Sequence, residues 1–228
     1  MRNIVAIIQA RMGSTRLPNK MMLSLHGKPI IEWVVERVKK SKKIDNIILA
    51  TSINRENDIL EKYSKESLGI AVYRGSEDNV LNRFYEAGKI SKATYIIRVC
   101  ADNPLIDGKE IDNLIDFYFQ NSYDYIYNHI PKNNSYPDGL GAEMISFKLL
   151  EELENAVTSS KEREHSFLHI TNNPEKYSIG TFEPEKEIAF PELRFDVDSF
   201  EDYYYLSMKS FGIDISSKDL VKLFKKEN

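Results

Sequence analysis

The chain opens with the stretch Ile4-Val5-Ala6-Ile7-Ile8-Gln9-Ala10-Arg11-Met12-Gly13-Ser14-Thr15-Arg16-Leu17-Pro18-Asn19-Lys20. Its apolar first part predicts a buried strand over Ile4–Gln9. The loop that follows carries a glycine, two hydroxyl side chains and the cations Arg11, Arg16 and Lys20. Glycine lets the backbone approach a ligand closely, and these cations donate charge-assisted hydrogen bonds that suit phosphate oxygens. The stretch therefore predicts an anion-binding loop after a strand, with an ordinary basic surface loop as the alternative. It is neither a Walker A loop nor a dinucleotide-binding turn.

Strand and helix patterns alternate over the first 127 residues. The strand candidates are Ile4–Gln9, Asn46–Ala50, Ala71–Tyr73, Tyr95–Val99 and Tyr123–Tyr127, with helical patterns between them at 29–40, 55–67, 78–91 and 108–121. Strands rich in Ile and Val that alternate with amphipathic helices predict βαβ units and a mostly parallel sheet. The fold class is therefore α/β, and ligands of such sheets bind beyond the carboxyl ends of the strands.

The second half of the chain is less regular. Residues 128–138 are polar and predict an excursion or a lid. Beyond them the patterns predict strands over 143–147 and 177–182, and helices over 148–157, 161–172, 200–211 and 218–226.

Aspartates form the second group of candidate site residues. Asp102 follows the strand Tyr95–Val99, so its side chain is expected at the carboxyl end of the sheet. Asp196 and Asp198 alternate with apolar residues, which puts both carboxylates on one side of an extended segment. Carboxylate oxygens are ligands that Mg²⁺ prefers. The alternatives are a turn-forming role for Asp102 and a surface ion pair for Asp196.

Composition excludes several classes of protein. The 228 residues contain 31 basic and 35 acidic side chains, a net charge of −4, and no basic tract typical of a nucleic-acid binder. The single cysteine, Cys100, fits a reducing compartment and is interpreted as a small buried apolar residue. No signal peptide and no membrane-spanning apolar run is recognised. We therefore expect a cytoplasmic protein with no nucleic-acid or membrane partner.

The opening loop resembles the CTP-binding loop of cytidylyltransferases that activate acidic sugars. These are the CMP-Kdo and CMP-sialic acid synthetases and, above all, the spore-coat polysaccharide type. The likeness continues in the same order to about residue 210, through Ala50-Thr51-Ser52, Arg74-Gly75-Ser76-Glu77-Asp78-Asn79-Val80-Leu81, Arg98-Val99-Cys100-Ala101-Asp102-Asn103-Pro104-Leu105-Ile106, Tyr136-Pro137-Asp138-Gly139-Leu140, Arg163-Glu164-His165 and Arg194-Phe195-Asp196-Val197-Asp198. One such motif is a hint, and seven in order indicate the family.

The resemblance implies both a fold and a reaction. The expected fold is a single nucleotide-diphospho-sugar-transferase-like (Rossmann-like) domain over residues 1–228, with a nucleotide-binding half at 1–127 and an acceptor-binding and dimerisation half at 128–228. The expected reaction is Mg²⁺-dependent transfer of CMP from CTP to an acidic sugar, with release of pyrophosphate, for surface polysaccharide biosynthesis. A homodimer is expected because relatives are commonly dimers.

The resemblance also implies roles for individual residues. Lys20, Arg11 and Arg16 would be the catalytic cations, with Lys20 in a flexible, solvated loop. The residues expected to bind CTP are Ala10, Arg11, Met12, Gly13, Ser14, Lys20, Thr51, Ser52, Gly75, Ser76, Asp78 and Asp102. The expected metal ligands are Asp102, Asp198 and Asp196. The residues expected to bind the acceptor are Asp138, Gly139, Glu143, Arg163 and His165.

Some interpretations stay open. Ser76 and its acidic neighbours also suit a helix cap, and His165 also suits an ordinary helix-surface position. The spore-coat type has Asp-Val-Glu where this chain has Gly141-Ala142-Glu143, a departure that bears on the acceptor. The competing functions are a sugar-1-phosphate nucleotidyltransferase or a glycosyltransferase, a nucleotidyltransferase with a phosphorylated or non-sugar acceptor, and a catalytically idle nucleotide-binding protein.

Overall fold

A computed structural model describes residues 2–225, and a seven-stranded sheet lies at the centre of this part of the chain. The strands are β1 (Ile4–Gln9), β2 (Ser24–Leu25), β3 (Lys28–Pro29), β4 (Asn46–Ser52), β5 (Ala71–Gly75), β6 (Tyr95–Cys100), β7 (Tyr125–Tyr127), β8 (Glu143–Ser146) and β9 (Ile179–Gly180). The helices are α1 (Ile30–Val38), α2 (Asp58–Glu66), α3 (Val80–Ile90), α4 (Gly108–Gln120), α5 (Phe147–Ala156), α6 (Ser160–Glu164), α7 (Leu168–Asn172), α8 (Phe200–Ser207) and α9 (Ser217–Phe224). Short 3₁₀ helices span Lys20–Met22, Arg55–Asn57 and Lys186–Ile188.

The order of strands across the sheet is β5-β4-β1-β6-β8-β7-β9, and β2 pairs with β3 in a separate small hairpin. β5, β4, β1 and β6 are parallel, whereas β8 runs antiparallel to both β6 and β7. The prediction of a mostly parallel α/β sheet is confirmed. β1 lies in the middle of the parallel group, so the loop after it opens at the carboxyl edge between β4 and β6.

Burial on both faces explains why the strand sequences are continuously apolar. In β1, every residue from Ile4 to Ile8 is fully buried. Ile4, Ala6 and Ile8 pack into the core that contains α1 and α4, while Val5 and Ile7 pack into the core that contains α3 and α5. A parallel strand covered by helices on both sides has no solvent face, which removes the need for alternating polar residues.

The expected elements of the first half are present with small shifts at their ends. The strand Ile4–Gln9 has the expected bounds, and the helical pattern at 55–67 begins as the 3₁₀ turn Arg55–Asn57 before α2. The polar segment 128–138 is an excursion whose two ends are anchored in the core, because Asn128 and Tyr136 are fully buried.

The second half contains several corrections. The helix predicted at 200–211 ends at Ser207. The predicted helix at 161–172 is split into α6 and α7, because Ser166 adopts a left-handed φ of 39° and turns Phe167 into the core against Phe84 and Tyr125. The predicted strand at 177–182 is only the two-residue β9. The helix predicted at 218–226 ends at Phe224, and residue 226 lies outside the described residues.

We predict that Gly108→Ala destabilises the fold, because a Cβ there would lie 2.5 Å from Ser41 N and 2.7 Å from Lys40 C. Both atoms belong to the backbone and move only with the chain, so we expect a loss of about 1–3 kcal/mol in the free energy of unfolding. The matched control is Gly212→Ala, where a Cβ would meet nothing within 4 Å. Urea denaturation measures both variants, and equal midpoints would contradict the proposed crowding.

Candidate active site

Lys20 is directed inward by the turn that precedes it. Asn19 adopts a left-handed φ of 58°, a conformation that asparagine tolerates better than most residues, and Lys20 N donates to Leu17 O at 3.2 Å. The Lys20 side chain thereby enters the protein and is only 7% exposed. The expectation that Lys20 lies in a flexible, solvated loop is therefore wrong.

The Lys20 ammonium lies among oxygens from two distant segments. Nζ donates to Val197 O at 2.7 Å and lies 3.5 Å from Asp102 Oδ2 and 3.4 Å from Asp198 Oδ1. Arg16 Nη2 contacts the other oxygen of Asp198 at 2.9 Å from the solvent side. The structure therefore brings together four residues that the sequence selected separately, although it leaves their catalytic roles as predictions.

The segment that carries Asp198 is held in an extended conformation. Val197 N donates to Asp102 O at 2.7 Å, and Phe195 N donates to Asp138 O at 2.9 Å. Phe195 and Val197 are fully buried, so the aspartates between and after them face the other way, as the alternation predicted. Asp196, however, accepts two hydrogen bonds from Arg194, at 3.0 and 2.6 Å. Its carboxylate is therefore a partner of Arg194, and a role as metal ligand stays a prediction.

The loop after β1 is fixed by residues that follow β4. Met12 N donates to Asn57 Oδ1 at 2.8 Å, and Asn57 Nδ2 donates to Ser52 Oγ at 2.8 Å. A Cβ at position 13 would lie 2.5 Å from the carboxylate of the exposed Glu56 side chain, so glycine leaves room for that side chain beside the loop. Asn57 is fully buried and was not among the predicted site residues. It directly precedes α2, and an asparagine at that place is typical of an ordinary helix start.

The ends of β4 and β5 form the predicted base-binding side. Thr51 and Ser52 are fully buried, and the Thr51 hydroxyl has no hydrogen-bond partner among the described residues. Arg83 Nη1 donates to Ser76 O and Glu77 O at 2.6 and 2.8 Å, which holds the exposed Ser76–Asp78 turn in place. The aliphatic part of Arg83 lies over Gly75, where a Cβ would come within 2.9 Å of Arg83 Cγ.

Arg11 bridges the two sides of this edge. Its Nη1 donates to Glu77 Oε1 at 2.7 Å, which ties the loop after β1 to the turn before α3. About half of the Arg11 side chain is exposed, so its remaining N–H groups stay accessible to a ligand. Glu77 was not among the predicted site residues.

A cavity of about 240 Å³ opens at the carboxyl edge of β1 and β6. Its walls combine the anion-binding loop with the ends of these strands and with one residue of the extended segment. The lining residues are Gln9, Ala10, Arg11, Ser14, Thr15, Arg16, Lys20, Met21, Arg98, Cys100, Ala101, Asp102 and Asp198. Burial raises the pKa of the Cys100 thiol to about 12, so this cysteine stays protonated and is a poor nucleophile.

Glu143 and Asp138 lie on the far side of β6. Glu143 accepts from Arg98 Nη1 and from Tyr125 Oη, the latter at 2.6 Å. Burial alone would raise the pKa of Glu143, but Arg98 and His129 hold it below its ordinary value. Burial, together with the nearby Asp196, raises the pKa of Asp138 to about 6. Gly139 has a φ of 91° and packs against the backbone of Phe195, which explains glycine there.

Arg163 and His165, which were expected to bind the acceptor, do not line the cavity. Arg163 donates to the Glu154 carboxylate at 2.6 Å, to Val157 O at 2.7 Å and to Asn79 Oδ1 at 3.1 Å. Its guanidinium thus links α6 to α5 and the start of α3, and it is not among the cavity residues. His165 is exposed at the end of α6. A role for either residue in acceptor binding stays a prediction that the geometry does not strengthen.

The glycine at position 141 also has a structural explanation. A Cβ there would lie 2.2 Å from Asn128 Oδ1 and 2.3 Å from Asn128 O. Asn128 Oδ1 accepts a hydrogen bond from Ala142 N at 2.9 Å. This hydrogen bond holds the Asn128 side chain in the space that a Cβ at position 141 would need. Position 141 is directed towards the interior, and its departure from the spore-coat pattern says little about the acceptor.

Asp102 and Asp198 are two carboxylates that could hold a Mg²⁺ ion only together with ligands from outside the protein. In the described part of the chain, no group of three or more His, Cys, Asp or Glu side chains is placed to hold a metal ion. Asp102 and Asp198 nevertheless line one cavity, about one third exposed, and both lie beside the Lys20 ammonium. Mg²⁺ is commonly held by one or two carboxylates together with substrate phosphates and water. These two side chains are therefore suited to an ion that arrives with a nucleotide.

Fold and site together define a nucleotidyltransferase. The chain belongs to the cytidylyltransferase family, whose sequence profile matches residues 5–227. It is similar to the spore coat polysaccharide biosynthesis protein SpsF of Bacillus subtilis, with 34% identity over 234 aligned positions that cover 98% of this chain and 94% of SpsF. Relatives of this kind confirm the sequence-based assignment to the family.

Solved structures agree with this placement. A cytidylyltransferase from Leptospira borgpetersenii is 30% identical and superposes with a TM-score of 0.89, covering 97% of this chain and 93% of the other. A CMP-2-keto-3-deoxy-manno-octonic acid synthetase in complex with CTP is 17% identical, with a TM-score of 0.67 over 90% of this chain and 97% of the other, which shows a shared fold. Within residues 2–225, no helix is long and apolar enough to cross a bilayer.

We predict that Lys20→Ala lowers both activity and stability. Loss of the ammonium leaves Val197 O without its donor and leaves two carboxylates facing each other, which costs about 1–3 kcal/mol of unfolding free energy. The rate of nucleotidyl transfer should fall on the order of 10²–10³-fold, as for other single groups that stabilise developing charge. The control is Lys148→Ala, whose side chain is 86% exposed. Wild-type stability in urea would contradict the structural role, and a rate within a few-fold of wild type would contradict the catalytic role.

Proposed function

We propose that the protein transfers CMP from CTP to an acidic sugar, releases pyrophosphate, and requires Mg²⁺. The observation that carries the proposal is the convergence of Lys20, Asp102 and Asp198 at the carboxyl edge of β1 and β6. A buried cation beside two partly exposed carboxylates suits a nucleoside triphosphate with its metal ion. The family membership supports the same reaction class.

The reaction forms one P–O bond and breaks another. A hydroxyl oxygen of the acceptor attacks the α-phosphorus of CTP and gives up its proton to water, and the bond from that phosphorus to the bridging oxygen of the leaving pyrophosphate breaks. Negative charge grows on the phosphate oxygens and on the leaving pyrophosphate, so preorganised cations stabilise the transition state. Lys20 lines the cavity beside Asp102 and Asp198 and would supply one of these cations, and Arg11 and Arg16 add charge at the mouth of the cavity.

Metal and acceptor have separate places in this proposal. Bound Mg²⁺, held by Asp102 and Asp198, would neutralise phosphate charge and orient the triphosphate. The acceptor would enter from the side of Glu143 and Asp138. No covalent enzyme intermediate is required, in agreement with the raised pKa of Cys100.

Cytosine as the base and an acidic sugar as the acceptor are supported by relatives. The CMP-2-keto-3-deoxy-manno-octonic acid synthetase with the same fold was solved in complex with CTP, and SpsF is named as a spore coat polysaccharide biosynthesis protein. In this chain the predicted base-binding residues Thr51, Ser52, Gly75 and Ser76 are neighbours, because Ser52 is paired with Gly75 across β4 and β5. We further propose that the protein acts in the cytoplasm, as its composition indicates, and that it forms a homodimer, as the resemblance implies.

We predict a strong preference for CTP over UTP, ATP and GTP. Cytosine presents an amino donor where uracil presents an acceptor, and each buried group left unpaired costs about 1–3 kcal/mol, or roughly 5–150-fold in kcat/KM. Pyrophosphate release, measured for each nucleotide against a panel of acidic sugars and neutral sugar phosphates, tests this. Equal use of UTP would overturn the base assignment, and turnover of neutral sugar phosphates alone would overturn the acceptor class.

We also predict that Asp102→Asn and Asp198→Asn each raise the Mg²⁺ concentration needed for half-maximal rate by at least about tenfold, because each loses a charged oxygen ligand. Asp196→Asn should have a smaller effect, since its carboxylate is paired with Arg194. The control is Asp214→Asn, whose side chain is 87% exposed. Unchanged Mg²⁺ titrations in the first two variants would remove both aspartates from the metal site.

A further inference from the structure

A row of polar side chains crosses the sheet beside the cavity. Arg98 on β6 is directly opposite Glu143 on β8 and Ile7 on β1, and Gln9 ends β1 two residues beyond Ile7, towards the carboxyl edge. Gln9 and Arg98 both line the cavity that Lys20 and Asp102 line. Neither side chain was predicted to bind a ligand, although both lie in stretches that resemble the family pattern.

The two edges of the Arg98 guanidinium have different partners. Nη1 donates to Glu143, whose other oxygen is held by Tyr125 Oη. Nε and Nη2 both donate to the same atom, Gln9 Oε1, each at 3.3 Å. That second edge is the planar pair of N–H groups that binds a carboxylate through two parallel hydrogen bonds. In this structure it is bridged by one neutral amide oxygen over long contacts.

We propose that the Nε and Nη2 edge of Arg98 binds the carboxylate of the acidic acceptor, and that Gln9 Oε1 occupies this place until the acceptor enters. The inference rests on the proposed function and names the residue that would select an acidic substrate. A carboxylate forms stronger, charge-assisted hydrogen bonds with a guanidinium than a neutral amide does. Displacement of the Gln9 amide is therefore favourable for an acid and unfavourable for a neutral sugar.

The surroundings of Arg98 hold this edge in position. Glu143 fixes Nη1, and the Phe167 ring lies with its centroid 6.0 Å from the Arg98 Cζ atom. Glu143 is shared with Tyr125 and lies 3.9 Å from His129 Nε2, so Arg98 is not its only partner. Arg163, the cation first expected to hold the acceptor, is occupied by Glu154 and Val157. Arg98 supplies positive charge inside the cavity where Arg163 does not.

The test is Gln9→Glu, which places a carboxylate of nearly the same shape against the Arg98 edge. The new carboxylate competes with the acceptor, so we expect KM for the best acidic sugar of the panel to rise at least tenfold. KM for CTP and the melting temperature should not worsen. General repulsion by the added charge would instead raise KM for CTP, because the triphosphate carries more negative charge than the sugar acid. The matched control is Gln120→Glu, the same change at an exposed helix end.

Arg98→Lys provides a second, independent variant. It keeps the positive charge near Glu143 but loses the two-point edge, so KM for the acidic sugar should rise more than kcat falls. An unchanged acceptor KM in Gln9→Glu, with wild-type pyrophosphate release intact, would overturn the carboxylate site and leave the proposed function standing. Absence of pyrophosphate release from the wild type with every acid of the panel would overturn the acceptor class and this inference together.

Discussion

The buried ammonium of Lys20 is the interaction on which the arrangement of the site depends. It joins the loop after β1 to the turn after β6 and to the extended segment 193–198, which lie far apart in the chain. A charge with so little exposure is tolerated only where oxygens replace its water, and here a carbonyl and two carboxylates do so. Because both carboxylates remain partly exposed, the same contacts that stabilise the fold also leave two anionic oxygens available in the cavity.

The antiparallel strand β8 gives the site its second half. In the parallel part of the sheet, the carboxyl ends of β1, β4, β5 and β6 contribute loops to the predicted nucleotide-binding side. β8 enters in the opposite direction and brings Glu143 beside Arg98, so a buried ion pair lies next to the cavity. A pair of this kind gains little net stability, because desolvation of the two charges offsets most of their attraction. The pair does, however, fix the orientation of the Arg98 guanidinium beside the cavity.

Much of the site followed from strand order and loop chemistry. Lys20 and Asp102 both come shortly after strands of one parallel sheet, and the carboxyl ends of neighbouring parallel strands meet at one edge. Asp198 followed from alternation in an extended segment. Arg163 shows the limit of this reasoning, since a motif match selected the residue but its hydrogen-bond partners Glu154 and Val157 lie on and after α5. Which partner a long cationic side chain takes depends on packing between helices, which no local pattern records.

The sequence by itself determined the α/β class and the family, because hydrophobic periodicity and short motifs are local properties of the chain. The anion-binding role of the loop after β1 stays a prediction. Only the tertiary structure decided that Lys20 is buried, that Gly141 packs against Asn128, and that Arg98 has one edge held by Glu143 and the other by Gln9. These outcomes depend on contacts between residues about 50 to 180 positions apart in most cases, as between Lys20 and Val197. Such contacts are set by the register and direction of the strands. The charge partners of a side chain are therefore fixed only once those strands have paired, and its chemistry depends on those partners.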